Sequence, residues 1–251
     1  LDRRDAGTNT VLSTKEITQL PQARDPWATL STIPGVQQDR INVGGNQSGQ
    51  QSSFAGKGSD GANATWVMDG VEFTDLAADG SSSTYFDFNS FQEIGFATGG
   101  GNLEQVTPGQ QLSFVTKQGA NRHTGSIGLI LADTKWQADA PELTQPNGDP
   151  YEGQSINEVF EKNFEIGGPI VKDMAWYWFG FNQNDVDLRI PGDDPTQPLV
   201  DNTTLRNVTA KINGTADNLN YKVFYTRGDK AKFGRNAGPD RPQPTTWNQS
   251  G

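Results

Sequence analysis

The residues able to do chemistry are few and badly assorted for catalysis. The single histidine, His123, follows the polar run Gln118-Gly119-Ala120-Asn121-Arg122, and there is no cysteine. A histidine-based triad, a thiolate metal centre and a cysteine nucleophile therefore all lack material. Gly56-Lys57-Gly58-Ser59-Asp60-Gly61 fits the glycine pattern of dinucleotide sites, which needs a strand before it and a helix after it. Asn63 to Met68 is strand-like instead, so the pattern reads as a loop whose glycines permit conformations other residues resist. Asp69-Gly70, between two strand-like segments, reads as a hairpin turn rather than a catalytic carboxylate. Asp185, Asp187, Asp193 and Asp194, with Asp149 and Glu152, offer oxygens to calcium, but the EF-hand spacing is missing and such loops are ordinarily just solvated. No catalytic residue, metal ligand or cofactor is assigned.

Charge and composition narrow the classes further. The 251 residues carry a net charge of -10, against the clustered Lys and Arg that grip on nucleic acid requires. With 29 Gly, 14 Pro and many Asn, Gln, Ser and Thr, the chain favours short strands joined by polar connections. No apolar run reaches the roughly 18 residues of a membrane helix. Barrel strands need only about 9 to 11 alternating residues, so a membrane location stays open. The chain starts at Leu1 without an initiator Met or signal-like segment and stops after Trp247-Asn248-Gln249-Ser250-Gly251 in loop-like sequence, so a fragment is expected.

Two textures follow one another along the chain. Up to about Gly119, short apolar runs alternate with Gly-rich loops, and two helices are expected. Ser13-Thr14-Lys15-Glu16 has capping-box spacing, and Asp25-Pro26-Trp27 offers an N-cap with proline in the first turn before Pro34-Gly35 stops the helix. Strands are predicted at Arg40 to Val43, Ala64 to Met68, Val71 to Phe73, Phe91 to Phe96 and Gln110 to Lys117. This half reads as a small α+β domain, residues 1–120.

From Asn121 the period becomes two. Ile127, Leu129 and Leu131 share one face; Phe164 and Ile166, then Val208, Ala210 and Ile212, and then Leu219, Tyr221, Val223 and Tyr225 do the same. Long polar connections after Trp136 and Asp185 alternate with short ones, a Gly167-Gly168-Pro169 turn region and Gly214 to Asn218. Up-and-down transmembrane barrels have this rhythm, and the run Trp176-Tyr177-Trp178-Phe179 suits an interfacial aromatic belt. A soluble sandwich also alternates. About five strands with lipid-facing side chains would leave unpaired edges in hydrocarbon, so further strands are expected beyond Gly251.

The segments Leu30 to Val36, Trp66 to Val71, Phe91 to Phe96, Thr107 to Gly119 and Ile166 to Asp173 resemble, in this order, motifs of TonB-dependent outer-membrane receptors, in particular the Oar-like branch with a carboxypeptidase-regulatory-like domain. Leu30-Ser31-Thr32-Ile33-Pro34-Gly35-Val36 looks like the plug's "L-x-x-x-P-G-V", and Trp66-Val67-Met68-Asp69-Gly70-Val71 like its "v-x-x-D-G-V". Thr107-Pro108-Gly109 through Val115-Thr116-Lys117-Gln118-Gly119 looks like the closing plug strand. Phe91-Gln92-Glu93-Ile94 stands where the family writes "ie-x-I-E-V", with Gly95-Phe96 in place of the acidic pair. Ile166-Gly167-Gly168-Pro169-Ile170-Val171-Lys172-Asp173 and the aromatic strand after it resemble the first periplasmic hairpin of the barrel.

The resemblance implies an α+β plug domain followed by antiparallel transmembrane β-barrel strands, a partial barrel over residues 121–251. It implies location in the bacterial outer membrane, contact with outer-membrane lipid, active uptake of an unidentified ligand, and coupling to TonB through a segment outside this chain. A wide polar lumen leaks unless filled, and the plug is expected to hydrogen-bond with Thr209, Lys211, Asn213 and Lys222 on the lumen side. Ligand contacts are expected on two plug loops, at Gln47, Gln50, Phe54, Asp75, Tyr85 and Phe86. A secreted β-rich carbohydrate-binding or carbohydrate-active protein, and a structural subunit of a surface assembly, are the alternative readings.

Overall fold

The computed structural model describes residues 9–19, 24–39, 51–56, 59–98, 109–136, 144, 148, 155–190, 199–235, 237–238 and 241–250. The expected strand at Arg40 to Val43 lies outside them. The first half comprises β1 (Asn9–Ser13), α1 (Thr14–Gln19), α2 (Pro26–Leu30), β2 (Val36–Gln38), β3 (Phe54–Gly56), β4 (Ser59–Asp60), β5 (Thr65–Met68), β6 (Val71–Glu72), β7 (Phe91–Ala97) and β8 (Gln111–Thr116). A five-stranded sheet has the order β1-β7-β8-β5-β6, with β5 and β8 parallel and every other pair antiparallel. β2, β3 and β4 form a small separate sheet.

Local signals set these elements. Glu16 reaches back from α1 to accept from the Ser13 N–H at 2.8 Å and the Ser13 hydroxyl at 2.6 Å, one arm of the capping box. Asp25 caps α2 by accepting from the Ala28 N–H at 2.7 Å, and Pro26 occupies the first helical turn, where its missing donor costs nothing. Asp69-Gly70 joins β5 to β6 with both residues at positive φ, 48° and 89°, as a tight primed turn demands. The core is aromatic: Trp66 and Phe114 stack at 5.8 Å, Phe91 meets Phe114 at 4.8 Å, and Trp27 packs on Trp66 at 5.5 Å.

The second half is a single antiparallel sheet of consecutive strands: β9 (Thr124–Asp133), β10 (Ser155–Val171), β11 (Ala175–Ile190), β12 (Leu199–Ala216), β13 (Leu219–Arg235) and β14 (Trp247–Ser250). The sheet is open, with β9 and β14 at its edges. β10 to β13 run 16 to 18 residues, longer than the roughly 9 to 11 that span a bilayer.

Two sequence expectations shift here. Gly167-Gly168-Pro169 is not a turn; it lies inside β10, paired with Trp178, Tyr177 and Trp176, and the chain reverses at Lys172 to Met174 with Asp173 at φ 62°. The reason is steric. A Cβ at Gly168 would stand 2.1 Å from Nδ1 of the exposed His123, so the glycine leaves room for that ring without turning the strand. The aromatic run of β11 is also split by the pleat. Tyr177 and Phe179 pair with the outward Ile212 and Ala210, whereas Trp178 faces inward opposite Lys211 and is buried.

Candidate functional site

The candidate site is the seam where the α+β domain lies against one face of the long sheet. Alternation gives that sheet two unlike surfaces. The outward face carries Ile127, Leu129 and Val223 at 78%, 68% and 64% exposure, with Leu131, Phe164, Ile166, Ile212 and Tyr225 also exposed. The inward face buries Glu161, Asn182, Asn207, Thr209, Lys211 and Lys232, together with a small apolar cluster of Val159, Val186 and Leu188. Such an arrangement inverts a soluble sheet, whose apolar face is its hidden one.

Charged side chains cross the seam in rows. Lys211 on β12 is 1% exposed and donates to both oxygens of Asp69 at 2.9 and 3.1 Å and to the carbonyl and hydroxyl of Thr116, each at 3.0 Å. The Thr116 hydroxyl donates to Asp69 in turn. Arg24 pairs with Glu161 on β10 at 3.0 Å and reaches Asn89, while Asn182 on β11 donates to the same carboxylate at 2.9 Å. Lys117 meets Glu165 at 2.7 Å, and Lys230 on β13 donates to the Tyr85 hydroxyl at 2.9 Å. Phe224 adds an apolar contact to the aromatic core. The connection between the halves is pinned where the short turns lie: Asn121 accepts from the Asp173 N–H at 2.9 Å and from Trp176 Nε1 at 2.7 Å.

Burial also shifts two carboxyls beside the seam. Desolvation raises Asp25 to about 6 despite backbone donors at Ala28 and Trp27. It raises Asp87 likewise to about 6, with bonds from Asn89 opposing, Glu161 adding repulsion and Lys117 drawing it down.

The expected lumen-side partners divide. Lys211 makes the central contact with the α+β domain, Thr209 shares its hydroxyl with Thr226 at 3.2 Å, and Lys222 is exposed. Of the expected ligand residues, Gln47 and Gln50 fall outside the described residues. Phe54 is buried and Phe86 half-buried in the aromatic core, Tyr85 packs on Trp27 at 5.8 Å and holds Lys230, and Asp75 accepts from the Ala77 N–H at 2.8 Å within its own loop. Phe54, with Gln38, Gln51, Asp60, Asp79 and Ser81, lines a cleft of about 570 Å³. β5 runs from Thr65 to the Asp69 turn, which Lys211 holds three residues from Gly214 at the short-turn end. Asp69, Arg24, Asn89, Glu161, Glu165 and Lys230 carry the seam unannounced; for Glu161, Glu165 and Lys230 the available signal was a formal charge on the inward phase of a strand.

Residues 2–105 match the family model described as the TonB-dependent Receptor Plug Domain. Similar solved structures include the outer membrane transporter YddB from Escherichia coli, at 12% identity and TM-score 0.67 over 90% of this chain and 33% of that one. The siderophore receptor PirA from Acinetobacter baumannii is similar at 15% identity and TM-score 0.59, over 90% and 31%. The copper transporter OprC is similar at 14% identity and TM-score 0.61, over 89% and 31%. At these identities the likeness is one of fold, and the chain spans about a third of the length of the structures it matches. No curated protein matches the chain. Residues 2–105 thus match the plug domain of TonB-dependent receptors, the second half has the fold of antiparallel strands in such receptors, and the localisation is the bacterial outer membrane.

Proposed function

We propose that the chain is the plug (residues 1–120) and the first transmembrane strands (residues 121–251) of a TonB-dependent outer-membrane transporter of the Oar-like branch. Further strands close the barrel around the plug, and TonB acts through a segment outside this sequence. The carrying observation is the seam itself: a charge-paired globular domain seats on the buried polar face of a sheet whose opposite face exposes Ile127, Leu129 and Val223. Such a plug blocks a polar lumen, and its ion pairs and hydrogen bonds can be exchanged for water more readily than a packed apolar interface, so a pull can displace it.

Ligand capture belongs, on this reading, to the plug loops with Gln47, Gln50, Phe54, Asp75, Tyr85 and Phe86, of which Phe54 lines the cleft. Cells carrying the full-length receptor should bind their ligand with or without TonB but accumulate it only with TonB. Binding with equal accumulation in both strains contradicts active transport, and a receptor whose loss alters only surface architecture supports a structural role. Gln50→Ala with Asp75→Ala should weaken ligand binding about tenfold or more, the equivalent of about 1.4 kcal/mol; unchanged affinity moves the ligand site elsewhere.

A further inference from the structure

Next to the Arg24–Glu161 pair, the seam encloses a cavity of about 20 Å³. Its lining includes Asp25 from the plug, Asn184 on β11 and Asn207 on β12. Asp25 Oδ1 caps α2, but its buried Oδ2 meets no hydrogen-bond donor among the described residues. The buried Oδ1 atoms of Asn184 and Asn207 are in the same condition. Asp25 and Asn207 are 9% and 2% exposed, so bulk water does not serve them. Arg24, the cation beside the cavity, is committed to Glu161 and Asn89.

A buried carboxylate without a counter-charge is strongly unfavourable, and buried acceptors need something positive to face. The space holds one guest of water size. A water molecule has two protons, so it serves two of the three oxygens and leaves the charge of Asp25 uncompensated. A small hard cation bound at Asp25 neutralises that charge, and the unpaired amide oxygens of Asn184 and Asn207 in the same lining are donors of the kind that suits such an ion.

We propose that this cavity is a monovalent-cation site of sodium size, shared between the plug through Asp25 and the sheet through Asn184 and Asn207. The bound ion ties the two parts together where, among the described residues, no direct ion pair joins Asp25 to the sheet. Seating of the plug then depends on sodium as well as on the fixed pairs, and the inference holds whatever the transporter carries.

The test uses the full-length protein in detergent. Crystals in which thallium replaces sodium should show an anomalous peak at coordination distance from Asp25 and at least one of the two asparagines, and Asp25→Asn should remove it. Thermal unfolding at constant ionic strength should give a higher Tm in sodium chloride than in N-methylglucamine chloride for the native protein, and equal values for Asp25→Asn. The proposal stands only if both results appear. It is overturned by an absent peak, by a peak that survives in Asp25→Asn, by equal Tm values in the two salts, or by a Tm that follows pH alone, which would make a proton the occupant. Asp25→Asn keeps the side-chain oxygen that caps α2, so its near-UV spectrum should match the native one; a collapsed spectrum shifts the thallium comparison to Asn207→Leu, whose peak must then weaken.

Discussion

The two faces of the long sheet are made from the same strands and differ by one residue of register. On β13, Val223 and Tyr225 point outward and exposed, while Lys230 and Lys232, on the opposite phase, are buried. On β12, Ile212 lies exposed beside the buried Lys211. The hydrophobic effect orders a soluble sheet by hiding the apolar phase. Here the polar phase is hidden, against a domain that supplies matching charges, so the outward medium must be apolar. The fold is governed by two different solvents, and each face fails for a different reason when its residues are exchanged.

The largest break should come from the hidden face. Lys211→Met leaves Asp69 buried without its cation, at a cost of about 3 to 5 kcal/mol, and should raise solute leak through reconstituted full-length receptor. The double change Lys211→Met with Asp69→Asn should recover much of that loss, since a lone charge costs more than an absent pair. The outward face should break next. Val223→Lys puts a charge in hydrocarbon, worth about 2 to 4 kcal/mol near the midplane, and should lower folding yield into lipid vesicles.

A third test concerns protons at the seam. Asp25 and Asp87 are both raised to about 6 by burial. A folded pKa above the unfolded one means the contribution is complete below about pH 4 and is lost as pH rises through about 6. In sodium-free buffer, Asp87→Asn should therefore flatten the fall in plug stability between these limits, by roughly 1 to 3 kcal/mol, in urea titrations at stepped pH. The smallest effect should come from exposed α1, where Ser13→Ala removes one of two bonds to Glu16 and costs about 1 kcal/mol or less by the same titration.

Sequence reasoning reached as far as local rules reach. The capping residues Ser13, Glu16, Asp25 and Pro26, the Asp69-Gly70 turn and the outward phase of Ile127, Leu129 and Leu131 were legible, because each depends on neighbours within a few positions. The turn after β10 was misplaced because glycine serves both reversals and close approach, and only the position of His123 decides between them at Gly168. The seam was the least legible part. Lys211 meets Asp69 across 142 positions and Arg24 meets Glu161 across 137, and no local pattern records which distant charge fills a given inward slot. Trp178 illustrates the same limit, since a belt residue and a buried one look alike until the pleat is known.

The absence of cysteine from these residues makes the central claim directly measurable in a cysteine-free background of the full-length protein. Single cysteines at Leu129, Val223, Asn182 and Thr209 would be labelled with a fluorophore and exposed to lipids carrying a quencher. Strong quenching at Leu129 and Val223, with little at Asn182 and Thr209, is the predicted result. Equal quenching at all four, or protection of Leu129 and Val223 alone, would contradict the account.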